Sequence, residues 1–330
     1  MSQLLPVMIR GTGAYVPAEV LTNQHFINYL DTSDEWIVTR TGIRERRRAA
    51  PNESTSTMAV EAARRALDNA GMTPDQIDIV ICATATPDCH FPATASFIQA
   101  ALGMGNKPGF DVEAACAGFI YAMTIGSAML GAGMYARVLV IGAETLTRFA
   151  NPQDRTTCIL LGDAAGAAVL IRAENPGQGI LHWRLGCDGT KAQYIWVPAG
   201  GSRMPASTMT VNEQLHYMHM RGREVFKFAV LKMEELIDEM IREAGIAPDE
   251  LRFVIPHQSN LRIIDAVRER LGLPHEKIAV NIDRFGNTSA ASILLSLDEA
   301  RRTGQVRAGD LVMFIAIGAG LTWGVMLMRM

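Results

Sequence analysis

Apolar positions recur every three or four residues through ARRALDNA (63–70) and again through IDEMIREA (237–244). Each run stops at a glycine and passes a Pro-Asp pair. It then gives way to a block of consecutive apolar residues, IDIVICA (77–83) and RFVIPH (252–257). This pattern predicts, twice over, an amphipathic helix, a glycine C-cap, a turn and a buried strand. The register is constant: Gly71 and Gly245, Pro74 and Pro248, and Val80 and Val254 are each 174 residues apart (245 − 71 = 174).

The echo continues downstream. VLVIGAE (138–144) has a counterpart in LVMFIAIGAG (311–320), and FDVEAACAGFIYAM (110–123) has one in VNIDRFGNTSAASILL (280–295). The last pair each reads as strand, turn and a helix rich in small residues, with Asn287 in the place of Cys116. A period this long is not that of a solenoid repeat. It predicts two copies of one α/β half, residues 1–172 and 173–330, packed face to face. The small residues of 114–133 let their helix lie close to its neighbours in the middle. Leu311–Met328 carries no charge over 18 residues, near the minimum for a membrane span. Its GAG turn splits it into two buried strands instead. Two stretches fall outside the repeat: 22–58, an insertion, and 172–220, rich in Gly, Pro and Ser. Both are predicted to carry recognition.

Composition narrows the class. Of 330 residues, 48% are hydrophobic and 20% charged, which supports a large core and excludes a disordered or disulfide-stapled chain. With 31 basic against 34 acidic side chains, nothing marks a nucleic-acid binder. Five cysteines without a CxxC pair fit a cytosolic thiol inventory and no zinc site. MSQLLPVMIRGTG has neither a basic start nor a long apolar stretch, so no secretory leader is expected and the expected location is cytoplasmic.

Three positions stand out chemically. Cys116 follows a strand pattern and begins a helix, where peptide dipoles favour the attacking thiolate, and Ala114, Ala115, Ala117 and Gly118 leave room around it. His257 ends a strand, and Asn287 lies at a strand-to-helix turn. Taken singly, each fits a structural role as well. If the duplication brings strand ends from both halves to one centre, they converge as a nucleophile with two hydrogen-bond donors. GIRERRR (42–48) reads as a solvated basic run and Trp36 as a helix-packing residue.

DTSDEWIVTRTGIRERR, DVEAACAGF, VIPHQSNLRI, RFGNTSAAS and IGAGLTWG together closely resemble the β-ketoacyl-acyl-carrier-protein synthase III family, from about Ile9 to Met328. The resemblance implies a thiolase-like, duplicated, five-layered αβαβα fold and a homodimer. It implies an acyltransferase that condenses a short acyl-CoA with a malonyl-acyl carrier protein to start fatty-acid synthesis, with no metal or organic cofactor. Carried over by motif, Cys116 is the nucleophile. His257 and Asn287 stabilise the enolate left by decarboxylation, and the backbone N–H groups of Cys116 and Ala319 form the oxyanion hole.

The same resemblance assigns Trp36, Arg155, Thr32 and Arg40 to CoA, and Phe91, reaching across the dimer, to the acyl pocket with Leu146, Leu161 and Met220. It assigns Gln258, Ser259, Asn260, Leu261 and Arg262 to the carrier protein, and Lys227 and Arg270 add cations at the mouth. Residues 190–215 leave a second enzymatic reading open: a related ketosynthase of specialised metabolism with another primer or acceptor. A non-catalytic ketosynthase partner is disfavoured, because Cys116, His257 and Asn287 are all present.

Overall fold

In the computed structural model, residues 5–175 and 177–330 are described. The first half runs β1 (Val7–Tyr15), β2 (Glu19–Thr22), α1 (Asn23–Ile27), α2 (Asp34–Thr41), β3 (Glu45–Arg48), α3 (Thr55–Ala70), β4 (Ile79–Ala83), α4 (Thr94–Ala101), β5 (Gly109–Val112), α5 (Gly118–Gly131), β6 (Arg137–Thr145) and β7 (Asp163–Arg172). The second runs β8 (Gly179–Cys187), β9 (Ile195–Trp196), α6 (Thr208–Asn212), β10 (His219–Met220), α7 (Gly222–Ala244), β11 (Phe253–Pro256), α8 (Leu261–Leu271), α9 (Ile282–Phe285), α10 (Ala291–Arg302), β12 (Leu311–Gly318) and β13 (Thr322–Arg329).

Two mixed sheets result. One has strand order β1-β7-β6-β4-β5, the other β11-β12-β13-β8. Helix α3 covers the outer face of the first sheet, and α7 with α8 covers the second. Helices α5 and α10 lie between the sheets and touch both. The architecture is the five-layered αβαβα fold that the resemblance implies. The central layer is close-packed because its helices meet glycines. A Cβ on Gly142 of β6 would stand 2.4 Å from the Ala290 carbonyl oxygen, so α10 lies directly on the strand backbone.

The 174-residue register holds in detail. Gly71 and Gly245 both close their helices in the left-handed conformation, and Pro74–Gln76 and Pro248–Glu250 both form 3₁₀ turns. Ala115 and Ser289, also 174 apart, are two of three non-glycine residues with positive φ among those described (45° and 46°). Two expectations need correcting. The counterpart of β5 is not a strand: it shrinks to one bridge between Ile278 and Val254, followed by the short α9. Asn287 is the register mate of Glu113, not of Cys116 (287 − 113 = 174). The backbone shows it: the Ala115 amide donates to Glu113 Oε1 at 3.0 Å, and the Ser289 amide donates to Asn287 Oδ1 at 2.9 Å.

The uncharged stretch forms β12 and β13, paired antiparallel around the Ala319–Leu321 turn. Among the described residues no helix is long and apolar enough to cross a membrane. The basic run is not wholly solvated. Arg46 is fully buried, donates to the Leu21 and Ile159 carbonyls and to Asn23 Oδ1, and stacks on Phe26. Alternation along β3 turns it inward to brace the 22–58 insertion.

Candidate active site

Strand ends from both sheets meet at Cys116, which lies in the 3₁₀ turn just before α5. Two cavities join there. One, of about 370 Å³, is lined by Leu146, Phe149, Leu161, Trp196, Met218 and Met220 among others. The other, of about 120 Å³, is lined by Phe226, His257, Ser259, Asn260 and Gly318 among others. Cys116 and Asn287 border both.

Gly318 allows the close approach on which this junction depends. A Cβ there would fall 2.8 Å from the Cys116 nitrogen and 2.9 Å from the Ala114 carbonyl oxygen. The turn that follows is tied down by Thr322 Oγ1, which donates to the Ala114 and Ala319 carbonyls at 2.8 and 3.0 Å. Gly320 has φ 132°, a conformation reserved for glycine. Ala319 therefore keeps ordinary geometry while facing the cavity, as its expected backbone role requires.

His257 is 1% exposed. Its Nδ1 lies 2.8 Å from Ser292 Oγ, and its Nε2 has no partner among the described residues. The Gln258 amide also donates, at 3.5 Å, to Ser292 Oγ. On this network we assign the Ser292 hydroxyl proton to Nδ1 and the ring proton to Nε2, which makes Nε2 a donor facing the channel. Burial pushes the imidazole down to about 3, so it stays neutral. The repeat explains the contact: Ala83 and Gly118 pack together in the first half, and their mates are His257 and Ser292. Asn287 Oδ1 is held by the Ser289 amide, which leaves Nδ2 as the free end of the side chain.

The expected thiolate does not fit the electrostatics. Burial pushes the Cys116 thiol up to about 12, opposed in part by the Ser289 hydroxyl and the Cys116 backbone N–H. A helix N-terminus contributes at most about 2 kcal/mol, or roughly one and a half pH units, too little to offset this rise. The resting nucleophile is the thiol.

Other expected positions divide. Leu146, Leu161 and Met220 line the larger cavity. Phe91 is outside it and 86% exposed. The guanidinium carbons of Arg155 and Arg40 lie 5.2 and 5.6 Å from the Trp36 ring centroid, and the nearby Thr32 hydroxyl is buried without a partner. Lys227 and Arg262 are exposed, the latter over Phe226.

Gln258 is a correction. It is buried and fully bonded, donating to the Pro256 and Ala279 carbonyls and accepting from the Asn281 and Ile282 amides, so it presents nothing to a docking protein. Asn260 caps α8 and also donates to the Arg40 carbonyl, while Leu261 packs on Gly42. Arg270 sits eight residues beyond Arg262, roughly 12 Å along the helix, and is paired with Asp238. Ser292, Ser289, Glu144, Glu113 and Trp196 were not singled out from the sequence. Only the 174-residue register, applied from Ala83 and Gly118, points to Ser292. No group of three His, Cys, Asp or Glu among the described residues is placed to hold a metal ion.

The fold and the converging Cys, His and Asn define a thiolase-like condensing enzyme. Family models described as 3-oxoacyl-[acyl-carrier-protein (ACP)] synthase III and its C-terminal region match residues 110–189 and 241–330. The chain is 52% identical to a β-ketoacyl-[acyl-carrier-protein] synthase III of Symbiobacterium thermophilum, covering 99% of each chain. It is 50% identical to one of Caldanaerobacter subterraneus subsp. tengcongensis, covering 98% of this chain and 97% of that one. The crystal structure of 3-oxoacyl-[acyl-carrier-protein] synthase III from Aquifex aeolicus superposes with a TM-score of 0.90 at 45% identity, covering 98% of this chain and 100% of that one. The chain belongs to the β-ketoacyl-acyl-carrier-protein synthase III family of acyltransferases, which initiate fatty-acid synthesis.

Proposed function

We propose that Cys116 takes an acyl group from a short acyl-CoA and then passes it to the carbanion formed when a malonyl-acyl carrier protein loses carbon dioxide. The observation that carries this reading is the position of Cys116 where an apolar cavity meets a channel bordered by His257 and Asn287. One space suits an acyl chain, the other a thioester arm. Decarboxylation puts negative charge on the thioester oxygen. Nε2 of His257 and Nδ2 of Asn287 are the donors left unpaired to meet it. A neutral imidazole is the useful form, because it donates without adding a charge that must be desolvated. Backbone N–H groups of Cys116 and Ala319 serve the acyl-transfer oxyanion.

Trp36 and Arg155, with Arg40 and Thr32, hold the CoA nucleotide. Their stacking and the orphaned Thr32 hydroxyl support this. Lys227 and Arg262 receive the acidic carrier protein. The two halves divide near residue 172, where β7 ends. The enzyme works as a homodimer, supported by the unpaired edge of β5 and by exposed Phe91 and Phe97. It needs no cofactor beyond its thioester substrates and acts in the cytoplasm, where its five free cysteines stay reduced. A panel of acyl-CoA primers, scored by covalent loading and by condensation, tests the reading. Two- to four-carbon primers are expected to load fastest, and a wild-type preference for octanoyl-CoA would refute the short-primer assignment.

A further inference from the structure

The thiol state of Cys116 leaves a proton to be moved. His257 is poorly placed to take it, since Nδ1 is committed to Ser292 and burial keeps the ring neutral. Behind Cys116 lies another group. Glu144, near the end of β6, is completely buried. Its carboxylate accepts from Thr86 Oγ1 at 2.7 Å and from the Ala85 amide at 3.2 Å, and no cation is among its hydrogen-bond partners. Between Glu144 and Cys116 stands the Ser289 hydroxyl, whose hydrogen bonding acts on both. Ser289 is 2% exposed and held at φ 46°, a costly conformation for a residue with a side chain. The repeat places it there. Ser289 is the mate of Ala115, and Glu144 is the mate of Gly318, the residue that touches the Cys116 nitrogen (318 − 144 = 174).

We propose that Ser289 and Glu144 form a proton relay for Cys116 during acyl transfer from CoA. As the bond from Sγ to the thioester carbonyl carbon forms, the thiol proton passes to Ser289 Oγ, and the hydroxyl proton passes to a Glu144 carboxylate oxygen. When the carbon–sulfur bond to CoA breaks, the same shift runs backwards and protonates the departing thiolate. No other reactant is needed.

Burial raises the Glu144 carboxyl to about 7, against hydrogen bonds from Thr86, Ala85 and Ser289 that lower it. It is thus poised both to take and to return a proton near neutral pH. The other titratable groups around it are Glu113 ahead of α5, Cys116 itself and Cys82 on β4. Asp163 on β7 is turned to the Ala49 and Thr147 amides, and Asp111 on β5 to those of Thr94 and Ala95.

The inference rests on Cys116 acylation as read above. Its test is the single-turnover rate of Cys116 acylation by acetyl-CoA between pH 5.5 and 9 (chosen to span roughly the titration expected of a buried carboxyl). The wild type should speed up as pH rises through a midpoint of about 7. Glu144→Gln and Ser289→Ala should lose that titration and slow by roughly 100-fold or more, while Glu144→Asp keeps a titration. Malonyl decarboxylation, which needs no proton from Cys116, should slow far less. A merely structural role would lower both reactions and leave the midpoint in place. Variants that retain the wild-type midpoint would overturn the relay. If Glu144→Gln does not fold, Ser289→Ala and Glu144→Asp decide on the same criterion. Wild-type protein that takes no acyl group at any pH would instead refute the parent reading.

Discussion

Replacing His257 with alanine separates the two half-reactions. The imidazole contributes one donor, Nε2, to the channel and one contact, Nδ1 to Ser292 at 2.8 Å. Loss of a preorganised donor to a developing oxyanion costs about 2.7–4 kcal/mol, or roughly 100- to 1,000-fold in rate. The upper part of that range applies here, because the ring is buried and water enters only as far as the new cavity admits it. The second contact has a separate consequence. Ser292 Oγ is left with only the long Gln258 amide bond, so the variant should also lose about 1–3 kcal/mol of stability. Acylation does not use Nε2 and should survive. The assay follows carbon dioxide release from malonyl-carrier protein and, separately, acetyl loading by intact-protein mass spectrometry. Ser292→Ala is the control: it should lower stability similarly yet retain most of the decarboxylation. A His257→Ala enzyme that fails to load acetyl while decarboxylating normally would reverse the assignment and refute the reasoning.

Asn287→Ala should lose a similar 100- to 1,000-fold in decarboxylation and keep acylation, read by the same two assays. Phe91→Thr should shift loading toward longer primers, since each methylene newly buried is worth about 0.8 kcal/mol; a parallel fall in all activities with dimer loss would make Phe91 an interface residue only. Arg262→Glu should slow condensation with the carrier protein while sparing acetyl loading, and the wild-type condensation rate should fall with added salt. Stability should depend on pH through Glu144. Its folded pKa of about 7 lies above the usual 4.5, so its contribution is complete below 4.5 and is lost as pH rises towards 7. That loss is on the order of 3 kcal/mol, and thermal melts of Glu144→Gln should lack it.

The duplication was legible because helix caps, turns and buried strands write themselves locally. Gly71 and Gly245, or the two Pro-Asp turns, need no tertiary information to be matched. The cysteine, histidine and asparagine were legible only as members of motifs, and the register slipped by three at Asn287 because α9 replaces a strand. What stayed hidden depends on contacts across the fold. Arg46 looks like its neighbours Arg47 and Arg48 until Leu21, Asn23 and Ile159 enclose it. Gln258 resembles a surface residue until four backbone groups claim its amide. Glu144 follows an apolar strand, and nothing nearby in sequence shows that Thr86 and Ser289 will meet it. The thiolate expectation failed for a related reason: a helix terminus is visible in a sequence, but the desolvation that outweighs it is not.

The most direct test of the central claim is peptide mass spectrometry of the enzyme after acetyl-CoA alone and after a chase with malonyl-carrier protein. The account predicts one acetyl group, on the peptide containing Cys116, that disappears in the chase as β-ketoacyl-carrier protein forms. An enzyme that condenses without passing through acetylated Cys116, or that carries the acetyl group on another residue, would contradict it.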